Sequence, residues 1–209
     1  MLAKLVIVEF GSEMLPVLSV VLVCINLTLL FNGVSAAVQP IVGIYFGERN
    51  ARSVRRVMND AMKVALAEGI LAAALFAIFP ELAVRLVGLD DPEHVVIAAK
   101  AVRLVAIGFV GAPFVFLFNS YYLFVERYTL ACALTFVADI LVYAVLCPPF
   151  AHFAGIVGLW VSLGIAPVVA VAGFGLFVAL IYGRRRFPLL LSPARERNQY
   201  AYGFRVTES

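Results

Sequence analysis

Long apolar blocks, separated by short polar segments, dominate the pattern of the chain. They predict five helices, at about residues 15–46, 57–86, 95–125, 130–146 and 156–182. Each block is close to or longer than the roughly 18 residues that cross a bilayer. None shows the strict two-residue alternation of an outer-membrane strand. The pattern therefore predicts an all-α, polytopic helical membrane protein.

The segments at the two ends of the chain follow different patterns. Residues 2–10 are apolar but too short to span, and they lack the basic start and cleavage site of a signal peptide. We expect them to be the end of a truncated N-terminal helix. Residues 1–186 then form one transmembrane lobe, and the polar residues 187–209 are predicted to be a disordered cytoplasmic tail.

Composition supports a membrane protein and excludes several other classes. The 209 residues are 64% hydrophobic and only 14% charged, whereas soluble domains are roughly 25% charged. The net charge of +3 comes from basic residues beside the spans, where topology and anionic lipid account for them, so no nucleic-acid partner is expected. The three cysteines lack C-x-x-C spacing and the two histidines lie far apart, so we expect no metal site.

Charged loops predict the orientation of the spans. Basic residues cluster at 49–56, at Arg127 and at 184–186, and these segments alternate with an acidic turn at 85–93 and an uncharged loop at 147–155. By the positive-inside rule the C-terminus is cytoplasmic and the N-terminus lies outside. An outside N-terminus without a signal peptide fits the truncated helix, so we expect the chain to be the second half of something larger.

Polar and small residues interrupt the first predicted span. Asn32 and Gln39 are seven residues apart and share roughly one helix face, among small residues such as Gly33 and Ser35. Pro40 removes a backbone hydrogen bond, and we expect the long span to bend there. Two interpretations stay open for this face: packing between helices through one amide bond, or the lining of a water-filled cavity.

Asp139 is the sharpest functional candidate because it lies near the centre of the fourth span. A carboxylate at that depth costs roughly 3 kcal/mol or more unless it is paired, hydrated or protonated. A structural alternative has Asp139 bonding Tyr143 one turn later, or a nearby amide. Glu68 in the second span is expected to have a structural or solvated role, reaching Arg55, Arg56 or water.

The third span ends in polar and aromatic residues that could meet a substrate. Asn119 offers hydrogen bonds, and Tyr121 and Tyr122 offer aromatic faces to a cation. Tyrosines at a helix end are equally expected in the interfacial aromatic belt. Pro113 and Pro167 lie inside the third and fifth spans and are predicted to kink them.

Two sequence runs resemble the MATE family, the multidrug and toxic compound extrusion transporters. Residues 32–50 read Gly-Val-Ser-x-Ala-x-Gln-Pro followed by Tyr-Phe-Gly-Glu-Arg-Asn and a basic helix start, and residues 155–160 are similar to the short loop that opens the last helix of a half. Helix count and loop charges fit the C-terminal half, over residues 1–186. The resemblance implies one lobe of a two-lobe, twelve-helix antiporter that exports lipophilic or cationic compounds in exchange for Na⁺ or H⁺.

The resemblance also implies partners and leaves the coupling ion open. In some relatives a cation site uses carboxylates of the seventh and tenth helices, but here the seventh is nearly absent and Asn119 stands where an acid is expected. The implied partners are the bilayer, a small lipophilic or cationic substrate, and a missing N-terminal lobe or a second half-length chain. No cofactor is expected, and the implied location is a bacterial cell membrane.

Other functions are weighed against this one. A lipid-linked oligosaccharide or polysaccharide flippase of the same superfamily shares the helix plan, and an inactive gene fragment fits the short chain. An intramembrane enzyme is disfavoured, since the sequence has no His pair, no G-x-S-x-G and no paired carboxylates on one helix.

Overall fold

Helices make up most of the described structure, a computed structural model that describes residues 11–48, 50–88 and 91–182. The predicted helix stub at 2–10, the basic cluster at 184–186 and the tail at 187–209 lie outside these residues. The helices are α1 Leu15–Leu27, α2 Asn32–Gly47, α3 Ala51–Ile78, α4 Glu81–Val87, α5 Pro92–Val105, α6 Gly108–Phe124, α7 Tyr128–Phe136 and α8 Val142–Tyr182. No strand occurs among the described residues.

Local sequence explains where several helices begin. The Asn50 side chain accepts a hydrogen bond from the Ser53 backbone N–H at 3.1 Å, which caps α3. Asp91 caps α5 in the same way, and Pro92 occupies the first turn, where its missing N–H costs nothing. These polar residues hold the helix starts in short turns and leave the apolar blocks continuous.

Gly155 divides α8 into two arms, residues 142–154 and 156–182. Its φ of 60° and ψ of −149° are open essentially only to glycine. A Cβ on the nearby Gly158 would lie 2.1 Å from the Phe150 carbonyl oxygen. Two glycines therefore make the break between the fourth and fifth predicted spans.

Three helical segments of the described residues are long and apolar enough to cross a membrane: Leu15–Gly47, Arg52–Ile78 and Tyr128–Val178. Helices α5 and α6 join them as a fourth span if this pair, bent by 50°, is counted as one. The prediction of an all-α, polytopic membrane protein is confirmed. The residue at which each span enters and leaves the bilayer stays a prediction.

Two core clusters occupy the two ends of the bundle. The first joins α1, α4, α5, the end of α3, the start of α6 and the residues on both sides of Gly155. The second joins α2, the start of α3, the second half of α6, α7 and the end of α8. The chain therefore passes back and forth between the clusters, and the last reversal falls at Gly155.

Glycines bring three pairs of backbones into direct contact. A Cβ on Gly69 would lie 2.6 Å from the Phe109 carbonyl oxygen, so α3 crosses α6 closely there. A Cβ on Gly111 would lie 2.6 Å from the Val168 backbone nitrogen, where α6 crosses α8. A Cβ on Gly164 would lie 2.3 Å from the Leu104 carbonyl oxygen, where α8 crosses α5. Small residues of this kind let helices associate in lipid, where dispersion contacts replace the hydrophobic effect between helices.

Candidate functional site

A polar contact joins α2 to α6 in the middle of an otherwise apolar interface. The Gln39 amide nitrogen donates to the Ser120 hydroxyl oxygen at 3.0 Å. Ser35, one turn earlier on α2, is 1% exposed, and its hydroxyl has no hydrogen-bond partner among the described residues. These three side chains line one void of about 10 Å³, close to the volume that admits a single water.

The two amides of the first span have different surroundings. Asn32 is exposed at the start of α2, while Gln39 is half-buried in the seam with α6. Gly33 has no atom near the position of a Cβ, whereas Gly43 packs against the Phe124 ring at 3.5 Å. Only part of the small and polar face of α2 is therefore buried against this lobe, and the rest faces outward.

The three prolines lie inside continuous helix. Helix α2 runs through Pro40, and the irregular stretch of the first span is the 3₁₀ turn Thr28–Phe31, well before it. The 50° bend of the third span falls between Val105 and Gly108, ahead of Pro113. Pro167 lies in the second arm of α8. Their assignment as hinges of a moving transporter stays a prediction.

Asn119 and Tyr122 occupy different environments on α6. Asn119 is half-buried, while Tyr122 is 5% exposed and belongs to the second core cluster. The Tyr122 ring packs edge-on against Tyr121, with centroids 5.5 Å apart, and against Phe174 at 5.9 Å. This packing screens the Tyr122 ring from a substrate on the outer face of the lobe.

Asp139 lies in the middle of a π-helical turn, Val137–Leu141. The turn is closed by the Val142 N–H, which bonds to the Val137 carbonyl, and π turns within α-helices are frequent at functional sites. Ala138 points into the core, but Asp139 is exposed. No hydrogen bond or ion pair joins Asp139 to another described residue, although its charge acts on the neighbouring Tyr143.

The half-buried Glu68 on α3 does not reach Arg55 or Arg56. Its Oε2 atom is buried without a hydrogen-bond partner among the described residues. Arg55 and Arg56 are 13 and 12 residues earlier on the same helix, which places them about 20 Å away along the axis. The predicted reach to Arg55 or Arg56 is therefore wrong, because the side chains cannot cover that distance, while a structural role or contact with water stays a prediction.

A second small cavity lies where α1, α6 and α8 meet. It has a volume of about 40 Å³ and is lined by apolar side chains together with Thr28, Cys24 and Tyr143. The Thr28 hydroxyl donates to the Ile25 carbonyl at 2.5 Å. Among the described residues no three His, Cys, Asp or Glu side chains gather into a possible metal site.

The family model described as MatE matches residues 1–149, which is most of the chain. The chain belongs to the MatE family. MatE proteins are membrane transporters, so the resemblance of residues 32–50 to this family is confirmed. None of the functionally curated proteins matches the sequence.

Solved MATE structures share this fold. One is an outward-facing multidrug resistance MATE transporter of the MOP superfamily, with a TM-score of 0.76, 19% identity, and coverage of 90% of this chain and 41% of that one. A MATE in complex with MaL6 has a TM-score of 0.75 and 21% identity, with coverage of 90% of this chain and 42% of that one. An inward-facing multidrug resistance MATE transporter has a TM-score of 0.75 and 20% identity, with coverage of 88% of this chain and 42% of that one. This MatE chain thus spans about two fifths of the length of those transporters.

Sequence reasoning missed two features of this MatE lobe. Ser120, the partner of Gln39, was passed over in favour of its neighbours, although its spacing from Leu117 and Phe124 places all three on one face of α6. The π turn around Asp139 carried no proline or glycine that could have marked it. The other site residues have the positions given above, and their roles stay predictions.

Proposed function

We propose that this MatE chain is one lobe of a secondary antiporter that exports lipophilic or cationic compounds in exchange for Na⁺ or H⁺. The observation that carries the proposal is the near-equal match to an outward-facing and an inward-facing transporter, with TM-scores of 0.76 and 0.75. A fold that matches both states equally well is expected to move as one body. That is the motion of a lobe that rocks against a partner in alternating access.

The outer surface of the lobe supports a partner or a cavity on one side. Asp139 is exposed on the same helical turn as Ile140 and Leu141, which are themselves 56% and 44% exposed. A carboxylate facing hydrocarbon costs roughly 3 kcal/mol or more. Contact with water or with a second lobe removes this cost, so we assign Asp139 to the cavity or inter-lobe surface as the titrating or ion-binding group.

The outward face of α2 supports the same assignment. Asn32 and Pro40 are exposed, as are Gly33, Ala36 and Ala37 between them. Pro40 leaves the Ala36 carbonyl without its helical donor. Polar groups of this kind at bilayer depth are expected to face protein or water. Together with Gln39 and Asn119, they are the residues that we propose as the cavity side of this lobe.

The missing part of the cavity comes from another polypeptide segment. Because the chain spans about two fifths of its structural relatives, we propose that an N-terminal lobe or a second half-length chain completes the transporter. The proposed setting is a bacterial cell membrane with the C-terminus in the cytoplasm. A fusion of a reporter enzyme to residue 209 tests that orientation.

Ethidium efflux from proteoliposomes tests the transport proposal. The full chain is reconstituted alone and with a co-expressed six-helix MATE N-terminal lobe, under a Na⁺ gradient, a proton gradient or neither. We expect gradient-driven efflux only when both lobes are present. Equal efflux without a gradient would remove the antiporter assignment, and efflux by the chain alone would remove the requirement for another lobe.

Asp139→Asn tests the role of the carboxylate in the same vesicles. The substitution keeps shape and hydrogen bonding but cannot titrate, so we expect loss of gradient-coupled efflux with unchanged melting temperature. Asp60→Asn, on the exposed start of α3, is the matched control. A flippase is the alternative function, and it is favoured if a fluorescent lipid-linked sugar crosses the membrane while ethidium does not.

A further inference from the structure

Helix α3 begins with a surface that differs sharply from the rest of the lobe. Over residues 52–63 its exposed positions carry four basic side chains, one amide and one carboxylate: Arg52, Arg55, Arg56, Lys63, Asn59 and Asp60. The opposite side of these turns is buried in the second core cluster, through Val54 and Met58. The polar side chains therefore all project to one side of the helix.

These six side chains, all from one helix, border an open surface region, which we call the basic hollow. Lys63 and Asp60 form an exposed ion pair at 2.9 Å, and such a pair contributes little energy. The three arginines form no ion pair with a described residue. The hollow thus carries a net charge of about +3 from its own side chains and is matched to an anion.

An apolar surface begins directly after the basic hollow. From Val64 onward the exposed large side chains of α3 are all hydrophobic, and they continue through Ile70, Leu71 and Leu75 to Ile78. These 15 residues rise about 22 Å, while the whole helix of 28 residues is about 42 Å long. Counted from Ile78, the three arginines lie about 33–39 Å away along the helix axis. With Ile78 inside a hydrocarbon core about 30 Å thick and the helix along the membrane normal, we place the arginines beyond the core, at headgroup level.

We propose that the basic hollow binds the headgroup of an anionic phospholipid whose acyl chains lie along the apolar surface of α3. The guanidinium groups of Arg52, Arg55 and Arg56 supply several N–H donors in a planar fork that fits phosphate oxygens. Asn59 adds a neutral donor for a glycerol hydroxyl. The direct succession of charge and apolar surface on one helix selects a lipid over a soluble phosphate, which has no chain to place there.

Native mass spectrometry of the detergent-purified full chain tests the proposal. Phosphatidylglycerol and phosphatidylcholine with identical acyl chains are the probes. We expect the wild type to prefer phosphatidylglycerol. Each Arg→Gln substitution in the basic hollow is expected to lower its affinity about fivefold, and R52Q/R55Q/R56Q should reduce it to the level of phosphatidylcholine.

Two further variants separate this binding from misfolding and from general attraction. R52K/R55K/R56K keeps the charge but removes the planar fork, so it should stay folded and keep only part of the preference. K100Q/R103Q removes two exposed charges from α5, which packs in the first core cluster at the other end of the bundle. This control should leave the preference unchanged.

Four results would overturn the assignment. The first is equal binding of the two lipids by the wild type, and the second is a preference that survives in R52Q/R55Q/R56Q. The third is a preference that disappears equally in K100Q/R103Q. The fourth is displacement of phosphatidylglycerol by an equal concentration of glycerol 3-phosphate, because this would indicate a site for a soluble phosphate. Any of these results would overturn the lipid site but leave the transport proposal standing, because ethidium efflux is measured separately.

Discussion

The crossing between the second arm of α8 and the end of α5 predicts a large difference between two glycine substitutions on one helix. At Gly164 a Cβ would lie 2.3 Å from the Leu104 carbonyl oxygen and 3.1 Å from the Val105 Cα. Both are backbone atoms, so no side chain can rotate away. At Gly173, nine residues later on the same arm, nothing lies within 4 Å of the added carbon.

The magnitude follows from the displacement that an added methyl group requires. Ordinary contacts begin near 3.4 Å, so Gly164→Ala must move α8 about 1 Å away from the end of α5. Overpacking of this kind costs about 1–3 kcal/mol. Both variants gain the same helix propensity, about 1 kcal/mol, so their difference isolates the crossing. At about 2 kcal/mol, the difference corresponds to roughly 4–8 °C in melting temperature for a chain of this size.

Buried thiols supply the assay. Cys24 and Cys147 are buried, whereas Cys132 is exposed. In a Cys132→Ser background, a dye that fluoresces on reaction with thiols reports unfolding as the two buried cysteines become accessible on heating in detergent. Gly164→Ala should melt several degrees below Gly173→Ala. If the two variants melt together, the backbones do not approach as closely as described, and the reasoning on helix crossings is wrong.

Three other predictions concern polar contacts. Ser120→Ala removes the hydrogen bond to Gln39 and should lower the stability by about 1 kcal/mol in thiol-labelling melts. The double variant Ser120→Ala/Gln39→Leu should lose less stability than the two single variants added together. Asn50→Ala removes the cap of α3 and should cost about 1 kcal/mol, measured in the same way; an unchanged melt would contradict the cap. The hydrogen bond from the His94 ring holds the pKa of the Asp91 carboxyl below its usual range, so the stabilisation is present above the ordinary aspartate pKa and is lost as the pH falls through the lowered value. Melting temperatures from pH 6 to pH 3 should therefore decline less steeply after His94→Gln, and parallel curves would refute the contact.

Much of the architecture could be predicted because membrane spans carry a strong and simple signal. A long apolar block in lipid must form a helix, since every backbone group needs a partner within the segment. The break at Gly155 could be anticipated from the resemblance of residues 155–160 to the start of a last helix. The loop predicted over residues 147–155 is wrong for residues 147–154, which are helical. The bends were harder to place, because the 3₁₀ turn at Thr28–Phe31 and the bend after Val105 contain no proline.

The candidate site was predictable only in part because its contacts join distant segments. Gln39 meets Ser120 across 81 residues, and nothing in the spacing of either residue specifies the other. Tyr122 looked like a cavity residue from its position near a helix end, but packing against Phe174 places it in the core. The polarity of a side chain indicates that it needs a partner, while only the packed helices determine which one.

The π turn at Val137–Leu141 has a consequence for the geometry of the whole fourth span. Such a turn holds one residue more than the α-helix around it, and one residue corresponds to a rotation of about 100°. Helix α7 and the first arm of α8 are thereby set out of phase, so each can turn its own apolar stripe to a different neighbour. Deleting a single residue from this turn should restore an unbroken α-helix and rotate one segment away from its packing partner. The turn therefore sets the rotation of α7 relative to the first arm of α8, and Asp139 lies at the point where that rotation occurs.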